Sequence, residues 1–507
     1  MRLLVVSAAL LVASCFGQDC LSRDFGQGGT VCVCNVAHCD KFPPLQPVDL
    51  GQYVTFVSNQ EGLRFQKKVG EFISDDGPTA NVIQLGSNTY QTIMGFGGAF
   101  TDSTGYNIKN VKDQLGDTLM RQYFAEDGLE YSIGRIPIGG TDFSFKGYSY
   151  CDTRDDVPDP ELSSFSLQPE DFEYKIPLIR QARQLRNNSL DLFGSAWVAP
   201  SWMKTIPGFT SRNSSIKYEM YQAWADYLVK FLDSYKEQGI DLWGITTGNE
   251  PKTALLKEEI PSVAWTPDDM TKWVRENLGP ALRKSAHSDI KLMLLDDQIP
   301  FMKEMADKVL ADETANGYVD GIATHWYSDW YGADTAGLLD AAHESYANKF
   351  MLATEACNGY EKNDIFLGSW HRGEKYAETI IKYFNNWITG FVDWNMALNV
   401  QGGPTFINNF VDSPIIVNAT ANEFYKQPMY YAIGHFSKAI PKGSIRQEII
   451  PFSDDVMVTA AARPDGGTAI VILNKLDVVV DVAVRCIGRG DAHITLTPKS
   501  LTTLVYW

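Results

Sequence analysis

Short apolar runs alternate with longer amphipathic stretches through the middle of the chain, from Gln91 to about Asn399. The longer stretches, such as 218–238 and 266–284, repeat their apolar positions with a helical period. Eight runs have the length of strands and end in polar or aromatic residues: 92–100, 131–138, 190–197, 242–247, 291–295, 321–324, 350–353 and 389–394. Strands that alternate with helices pair in parallel, and eight such units predict an α/β fold, a closed (β/α)8 barrel over 91–436.

Strand-like patterns also flank this region on both sides. Before it lie the runs 54–56, 63–69 and 81–85, and after about Phe436 lie 456–462, 468–474, 478–484 and 495–506. The hairpin signal Asp465-Gly466-Gly467 separates the first two of the later runs. We therefore predict an accessory β-sandwich built from both chain ends, over 45–90 plus 437–507.

The N-terminus has the features of a secretory signal. Met1 and Arg2 precede an apolar run, 3–16, which is too short to span a membrane, and the small residue Gly17 follows. We predict a signal peptide over 1–17. Because no later stretch of about 18 uncharged apolar residues appears, we expect a soluble mature chain.

Clustered cysteines and glycosylation motifs agree with secretion. The mature N-terminus contains Cys20, Cys32, Cys34 and Cys39. In a secreted chain this cluster predicts two disulfides; zinc is the alternative, but C-x-C and C-x4-C spacings fit zinc modules poorly. We expect the segment 18–44 to form β structure that packs with about 396–427. Three sequons predict glycosylation at Asn187, Asn213 and Asn418.

Charge and motifs exclude several classes of function. The formal net charge is −18, so no nucleic acid partner is expected, because phosphate binding needs clustered Lys and Arg. No G-x-G-x-x-G follows the first strand, which argues against a dinucleotide-binding sheet. No metal-ligand set, G-x-S-x-G elbow or phosphate loop is evident either. We therefore predict an activity that needs neither a cofactor nor a metal.

Two glutamates follow predicted strands at the barrel edge where active sites lie. Glu250 comes after the fourth run and Glu355 after the seventh, and these strands face each other across the barrel mouth. Glycosidic bond cleavage needs such a pair, because one carboxyl protonates the leaving oxygen while the other attacks the anomeric carbon. The alternative is that both are surface or helix-start glutamates, which does not explain their opposed positions.

The sequence also resembles the glucosylceramidase family of retaining barrel glycosidases, glycoside hydrolase family 30. Asn249-Glu250-Pro251 and Glu355 match the wider group of such enzymes. Longer matching stretches run in order along nearly the whole mature chain: 32–35 (CVCN), 95–99 (GFGGA), 135–137 (RIP), 294–298 (LLDDQ), 325–327 (HWY), 393–395 (DWN), 409–416 (NFVDSPII) and 434–438 (GHFSK).

The resemblance implies roles for individual residues. Glu250 would be the acid/base, Glu355 the nucleophile, and Arg135 would orient the nucleophile. The residues implied to hold glucose or line its pocket are Asp142, Trp197, Asn249, Trp394, Asn409, Tyr327 and His325. From the residues alone, a strand arginine that points inward needs a carboxylate partner, for which Glu355 is the nearest candidate. Asp142 could equally cap a loop, and either tryptophan could be plain core.

The resemblance further implies hydrolysis of β-glucosylceramide, a glycosphingolipid, to glucose and ceramide, with retention and at acidic pH. It implies a membrane-surface substrate, a saposin-type activator, and delivery to the lysosome by a sorting receptor; simple secretion is the alternative. After Pro251 the family has an aromatic-bearing loop, whereas 252–261 here is KTALLKEEIP. That departure leaves open a retaining hydrolase of xylan, β-1,6-glucan or small β-glucosides. A non-catalytic sugar-binding relative would have lost a glutamate, and both are present.

Overall fold

The computed structural model describes residues 19–74, 81–256, 260–330, 332–362 and 364–507. The predicted signal peptide, 1–17, lies outside these residues. Within them, no helix is both long and apolar enough to cross a membrane.

The centre of the chain forms a closed barrel of eight parallel strands. In chain order these barrel strands are Gly95–Ala99, Ile133–Ile138, Asp191–Ala196, Gly244–Thr246, Lys291–Gln298, Gly321–His325, Phe350–Glu355 and Ile388–Asn395. The eighth strand pairs with the first, which closes the ring. Each predicted strand is present within about three residues of its predicted limits, so the (β/α)8 barrel is confirmed.

Apolar side chains fill the inside of the barrel, as its closure requires. One buried layer comes from six of the strands: Ile133, Phe193, Met293, Ala323, Leu352 and Val392. These side chains close the centre of the ring, so polar residues at the carboxyl ends of the strands face a pocket rather than a channel.

Helices surround the barrel and pack their apolar stripes on it. They span Asp102–Lys109, Leu115–Phe124, Ile176–Leu185, Tyr221–Glu237, Thr253–Leu256, Pro267–Trp273, Gly279–Lys284, Ile299–Val309, Glu313–Tyr318, Thr335–Ser345, Trp370–Asn385 and Pro428–Ser437. The amphipathic stretch predicted over 266–284 is helical, with a π-helical turn, Val274–Leu278, between Pro267–Trp273 and Gly279–Lys284. Pro280 lacks the N–H that would continue the α-helical hydrogen bonds.

A nine-stranded antiparallel-rich sheet combines both ends of the chain, and the predicted accessory β-sandwich is confirmed. Its strands are Gln52–Asn59, Gln66–Glu71, Val82–Thr92, Ile445–Ile450, Val456–Ala462, Thr468–Asn474, Val480–Cys486, Gly490–Leu496 and Ser500–Tyr506. The predicted hairpin turn is present, with Gly466 at φ 84°. The single strand predicted over 495–506 is wrong, because the chain turns at Pro498 and at Lys499, whose φ is 41°.

A second, five-stranded sheet joins the N-terminus to the end of the barrel region. Its strands are Ser22–Asp24, Thr30–Cys34, Ala397–Asn399, Ile415–Asn418 and Glu423–Lys426. Disulfides Cys20–Cys32 and Cys34–Cys39 tie its first strands together, so these sulfurs are not zinc ligands. The free thiols Cys151, Cys357 and Cys486 are buried. The exact domain limits stay a prediction.

Candidate active site

A cavity of about 710 Å³ opens at the carboxyl ends of the barrel strands. Eight of the residues predicted for the site line it: Asp142, Trp197, Asn249, Glu250, Tyr327, Glu355, Trp394 and Asn409. Two others, Arg135 and His325, are fully buried behind its wall and contact the site through its carboxylates. The structure therefore brings all ten predicted residues together.

The two glutamates face one another across this cavity. Glu250 follows the fourth strand in a left-handed backbone conformation, with φ at 49°, and its N–H bonds to the Asp296 carbonyl at 2.9 Å. Glu355 is the last residue of the seventh strand. One carboxylate oxygen of each, and a ring nitrogen of His325, all lie within 4.8 Å of one another. A single sugar ring placed between the glutamates can thus reach both.

The Glu355 carboxylate is held by two donors. Arg135 donates to its Oε2 atom, and the Tyr327 hydroxyl donates to its Oε1 atom at 2.7 Å. Arg135 enters from the second barrel strand, where it is fully buried, and it also bonds to Asp296 at 2.8 Å. Both donors hold the Glu355 carboxyl group in one orientation at the cavity.

Glu250 has a different environment, although it shares the same cavity. Its Oε1 atom lies 3.0 Å from Nδ1 of His325 and accepts from Nε2 of Gln298 at 2.9 Å. The other ring nitrogen of His325 lies 3.1 Å from Asp296. Burial disfavours a charged imidazole, but Glu355, Asp296 and Glu250 outweigh it and raise the pKa of His325 to about 10. The protonated ring donates to both carboxylates and has no lone pair for a metal.

Asp296 connects the residues of the site through several hydrogen bonds. It accepts from Thr246 at 2.9 Å and Thr354 at 2.7 Å, and also from Ser195. Burial raises its pKa, but Arg135 and His325 lower that pKa well below the usual range, so the carboxyl is ionised. Two cations thus balance the buried negative charge around the site.

Sequence reasoning missed three residues of this site: Asp296, Asp297 and Gln298. The fifth strand was predicted to end at Leu295, but it continues to Gln298 through an irregularity in its register. Leu295 and Asp296 have φ values of 82° and 58°, which places a run of polar residues at the barrel mouth. The sequence does contain a signal for these residues, because polar residues directly after an apolar strand are the same pattern that located Glu250.

Asp297 anchors the segment that follows Glu250. Its carboxylate accepts from the N–H groups of Lys252 at 2.8 Å and Thr253 at 3.0 Å, and from the Thr253 hydroxyl at 2.7 Å. These hydrogen bonds pair the N–H groups at the start of the short helix Thr253–Leu256, which have no acceptor within the helix itself. Burial and the neighbouring Glu250 raise the pKa of Asp297.

Aromatic and polar residues form the opposite wall. The Trp197 and Trp394 rings stack with centroids 4.9 Å apart, and the Arg135 guanidinium lies 4.4 Å from the Trp197 centroid. Asn409 donates to Oδ2 of Asp142 at 2.8 Å, while Oδ1 of Asp142 is buried without a hydrogen-bond partner. Burial, with Glu355 and Glu250, raises the pKa of Asp142 to about 7. An unpartnered acceptor beside flat rings suits a sugar hydroxyl.

The rim of the cavity is apolar on the side of the fourth and fifth strands. Leu256, Ile260 and Phe301 line it there, and Ile407 lines the facing side. Leu256 belongs to the segment 252–261, where the family aromatic was expected and is missing. Aliphatic side chains from that segment, together with Phe301, therefore supply the apolar surface.

A barrel with two opposed glutamates, an aromatic wall and an attached β-sandwich defines a glycoside hydrolase. The glycosyl hydrolase family 30 TIM-barrel domain matches residues 93–440, and the glycosyl hydrolase family 30 beta sandwich domain matches 443–504. The chain therefore belongs to glycoside hydrolase family 30.

Known proteins agree with this assignment. The chain is 40% identical over 467 residues to the lysosomal acid glucosylceramidase of Mus musculus, which covers 90% of each chain. It is 26% identical over 419 residues to an endo-1,6-beta-D-glucanase of Neurospora crassa, covering 79% of this chain and 82% of that one. The solved structure of SrfJ from Salmonella typhimurium superposes with a TM-score of 0.83 at 24% identity, covering 90% of this chain and 99% of that one.

Proposed function

We propose that the chain is a retaining β-glucosidase that hydrolyses β-glucosylceramide to glucose and ceramide at acidic pH. The observation that carries the retaining mechanism is the separation of the two carboxylates, whose nearest oxygens lie within 4.8 Å. Retaining pairs are about 5–5.5 Å apart, whereas inverting pairs are about 6.5–9.5 Å apart to admit a water. Glucosylceramide as substrate is supported by the 40% identity to the mouse enzyme.

In the proposed first step, Glu355 forms a bond to C1 of glucose while the bond from C1 to the ceramide oxygen breaks. Glu250 gives its proton to that oxygen, and ceramide leaves. In the second step Glu250 takes a proton from water, whose oxygen attacks C1 and releases Glu355 together with glucose. Arg135 and Tyr327 hold Glu355 in the orientation needed for the attack.

Glucose would lie between the stacked tryptophans and the two glutamates. The unpartnered Oδ1 of Asp142 would form a hydrogen bond with a sugar hydroxyl, with Asn409 holding the carboxyl in place. Asn249, which accepts from Arg135 at 2.9 Å, would donate through its amide nitrogen to the 2-hydroxyl. The apolar rim at Leu256, Ile260 and Phe301 would take the start of the ceramide chains.

Acidic pH fits the charges of the site. The pKa of Asp142 is raised to about 7 and that of His325 to about 10, so both groups hold a proton in an acidic compartment. We also propose a lysosomal location, a saposin-type activator at the lipid surface and a sorting receptor. The proposed location rests on the name of the mouse relative, which places that protein in the lysosome, and the activator and the receptor are what the family resemblance implies.

The mechanism is tested by Glu355→Gln and by trapping. A 2-deoxy-2-fluoro β-glucoside should label the wild type on Glu355, located by peptide mapping, and Glu355→Gln should lose turnover of any β-glucoside. Glu361→Gln is the matched control, because Glu361 lines the same cavity but pairs with Lys375 at 3.1 Å. Label on another residue would overturn the assignment of the nucleophile.

A second candidate is a hydrolase of another β-linked glycoside, which the relationship to the Neurospora crassa endo-1,6-β-glucanase favours. The two candidate functions are distinguished by comparing kcat/KM for glucosylceramide in anionic vesicles with kcat/KM for β-1,6-gluco-oligosaccharides, xylo-oligosaccharides and aryl β-glucosides. Higher kcat/KM for an oligosaccharide than for the lipid would replace the proposed substrate while leaving the two glutamates in their roles.

A further inference from the structure

A buried lysine lies beside the active-site cavity without a role in the chemistry above. Lys204 follows the third barrel strand and is fully buried. Its ammonium donates to the carbonyl oxygens of Gly208 at 2.7 Å and Ser262 at 3.2 Å. No described carboxylate forms an ion pair with it. A buried charge with such partners is unfavourable, so a position that retains one merits a functional explanation.

The two carbonyls belong to different loops. The strand-3 loop, 204–216, is closed by a bridge between Lys204 and Ile216, and it contains Gly208. The strand-4 loop, which the structure describes over 251–256 and 260–265, begins directly after Glu250 and is closed by a bond from the Trp265 N–H to the Pro251 carbonyl at 3.2 Å. Lys204 thus joins one loop to the other from inside the protein.

Backbone hydrogen bonds also join the strand-3 loop to the strand-4 loop, along a shared edge that we call the seam. The Asn213 N–H donates to Ala254 at 2.8 Å, and the Ala264 N–H donates to Ser214 at 2.9 Å. At the exposed edge, Nε of Arg212 donates to Leu255 at 3.4 Å. At the far end of the strand-4 loop the Ser262 N–H donates to the Phe209 carbonyl at 3.3 Å, and Lys204 adds a buried side-chain hydrogen bond to the carbonyl of Ser262.

The strand-4 loop carries the apolar rim of the cavity. Leu256 and Ile260 both line the cavity, and Ile260 lies two residues before Ser262. Moving Ser262 away from the strand-3 loop would therefore move Ile260 at the rim, whereas the residues that hold glucose, Asn249 among them, lie outside the strand-4 loop. Asp297 anchors the beginning of the loop independently, so Glu250 itself would stay in place.

We propose that Lys204 is a positioning residue that fixes the strand-4 loop and so sets the preference of the enzyme for an apolar aglycone. This rests on the proposed function, because it concerns the leaving group of the same reaction. Burial lowers the pKa of Lys204 to about 8, so the side chain is a charged donor at acidic pH and both carbonyls receive a hydrogen bond.

The test compares Lys204→Met with wild type on a series of alkyl β-glucosides of increasing chain length, on glucosylceramide in anionic micelles, and on a small aryl β-glucoside. We expect kcat for the aryl glucoside to stay within about twofold, while KM for long-chain substrates rises about tenfold. Lys217→Met is the matched control, because Lys217 donates at 2.9 Å to Trp202, outside the strand-4 loop. It should change neither value.

Two outcomes overturn the proposal: an equal fall in kcat for every substrate, or no change in the preference for long chains. If Lys204→Met does not fold, the exposed Arg212→Met reports on the same seam and should reduce the long-chain preference by a smaller factor. Unchanged preference in that variant would also overturn the proposal. Failure of the wild type to cleave any β-glucoside would instead refute the proposed function, so the two failures are distinguishable.

Discussion

Replacing Asp142 by Asn should make the stability of the protein less sensitive to pH. Asp142 is 5% exposed, and burial together with Glu355 and Glu250 raises its pKa from 3.8 to about 7. Asn has nearly the same shape and cannot ionise. Its amide oxygen can still accept from Asn409, and its NH2 group would occupy the place of the unpartnered carboxylate oxygen.

The sign and size of this effect on stability follow from proton linkage. The folded state binds this proton more tightly than the unfolded chain, so wild-type stability falls as pH rises from about 4 to about 7. A pKa of about 7 against 3.8 corresponds to on the order of 4 kcal/mol of unfolding free energy. Asp142→Asn should therefore match the wild type near pH 4 and exceed its stability increasingly up to about pH 7.5.

Thermal unfolding, followed by tryptophan fluorescence at several pH values without substrate, measures this directly. Asp159→Asn is a control of opposite sign, because the N–H of Ser164 lowers the pKa of that half-buried carboxyl. Removing this carboxylate should lower the free energy of unfolding near neutral pH and change it little in acid. Parallel pH profiles for wild type and Asp142→Asn would refute the reasoning, whatever happens to activity.

Two further substitutions test the contacts of Glu355. Arg135→Met leaves two buried carboxylates without their guanidinium partner, so denaturant unfolding should show a loss of about 3–5 kcal/mol; a loss below about 1 kcal/mol would contradict the buried ion pairs. Tyr327→Phe removes a 2.7 Å hydrogen bond to a charged acceptor, about 1.5–3 kcal/mol. That corresponds to a fall of about 10–150-fold in kcat/KM for an aryl β-glucoside; an unchanged kcat/KM would mean that the bond is not used in the transition state.

The barrel could be predicted from the sequence because its strands are buried on both faces. Such strands are short apolar runs, and each ends where the chain meets the mouth of the barrel, so both identity and direction are encoded locally. The prediction of one strand over 495–506 was wrong for a different reason. The predicted strand runs through the polar stretch Thr497-Pro498-Lys499-Ser500, where the chain turns and Lys499 has φ 41°.

The site was predictable to the extent that strand ends mark it. Glu250 and Glu355 stand directly after or at the end of apolar runs, and the family resemblance identified the residues around them. The register irregularity at Leu295 and Asp296 has no pattern of its own in the sequence, since positive φ at these residues is imposed by tertiary packing. The buried Lys204 left no signal either, because its partners are backbone carbonyls.

The nine-stranded sheet has a consequence for the order in which the protein is made. Its strand Ser500–Tyr506 lies between Thr468–Asn474 and Gln52–Asn59, so it joins the two ends of the chain. The barrel is complete in sequence before the last strand leaves the ribosome, whereas Gln52–Asn59 must wait for it. Pairing across such a separation carries a large loop-closure entropy and is slow. Newly made chains therefore expose the edge of Gln52–Asn59 until Ser500–Tyr506 has been made, and until then this edge can pair with other chains.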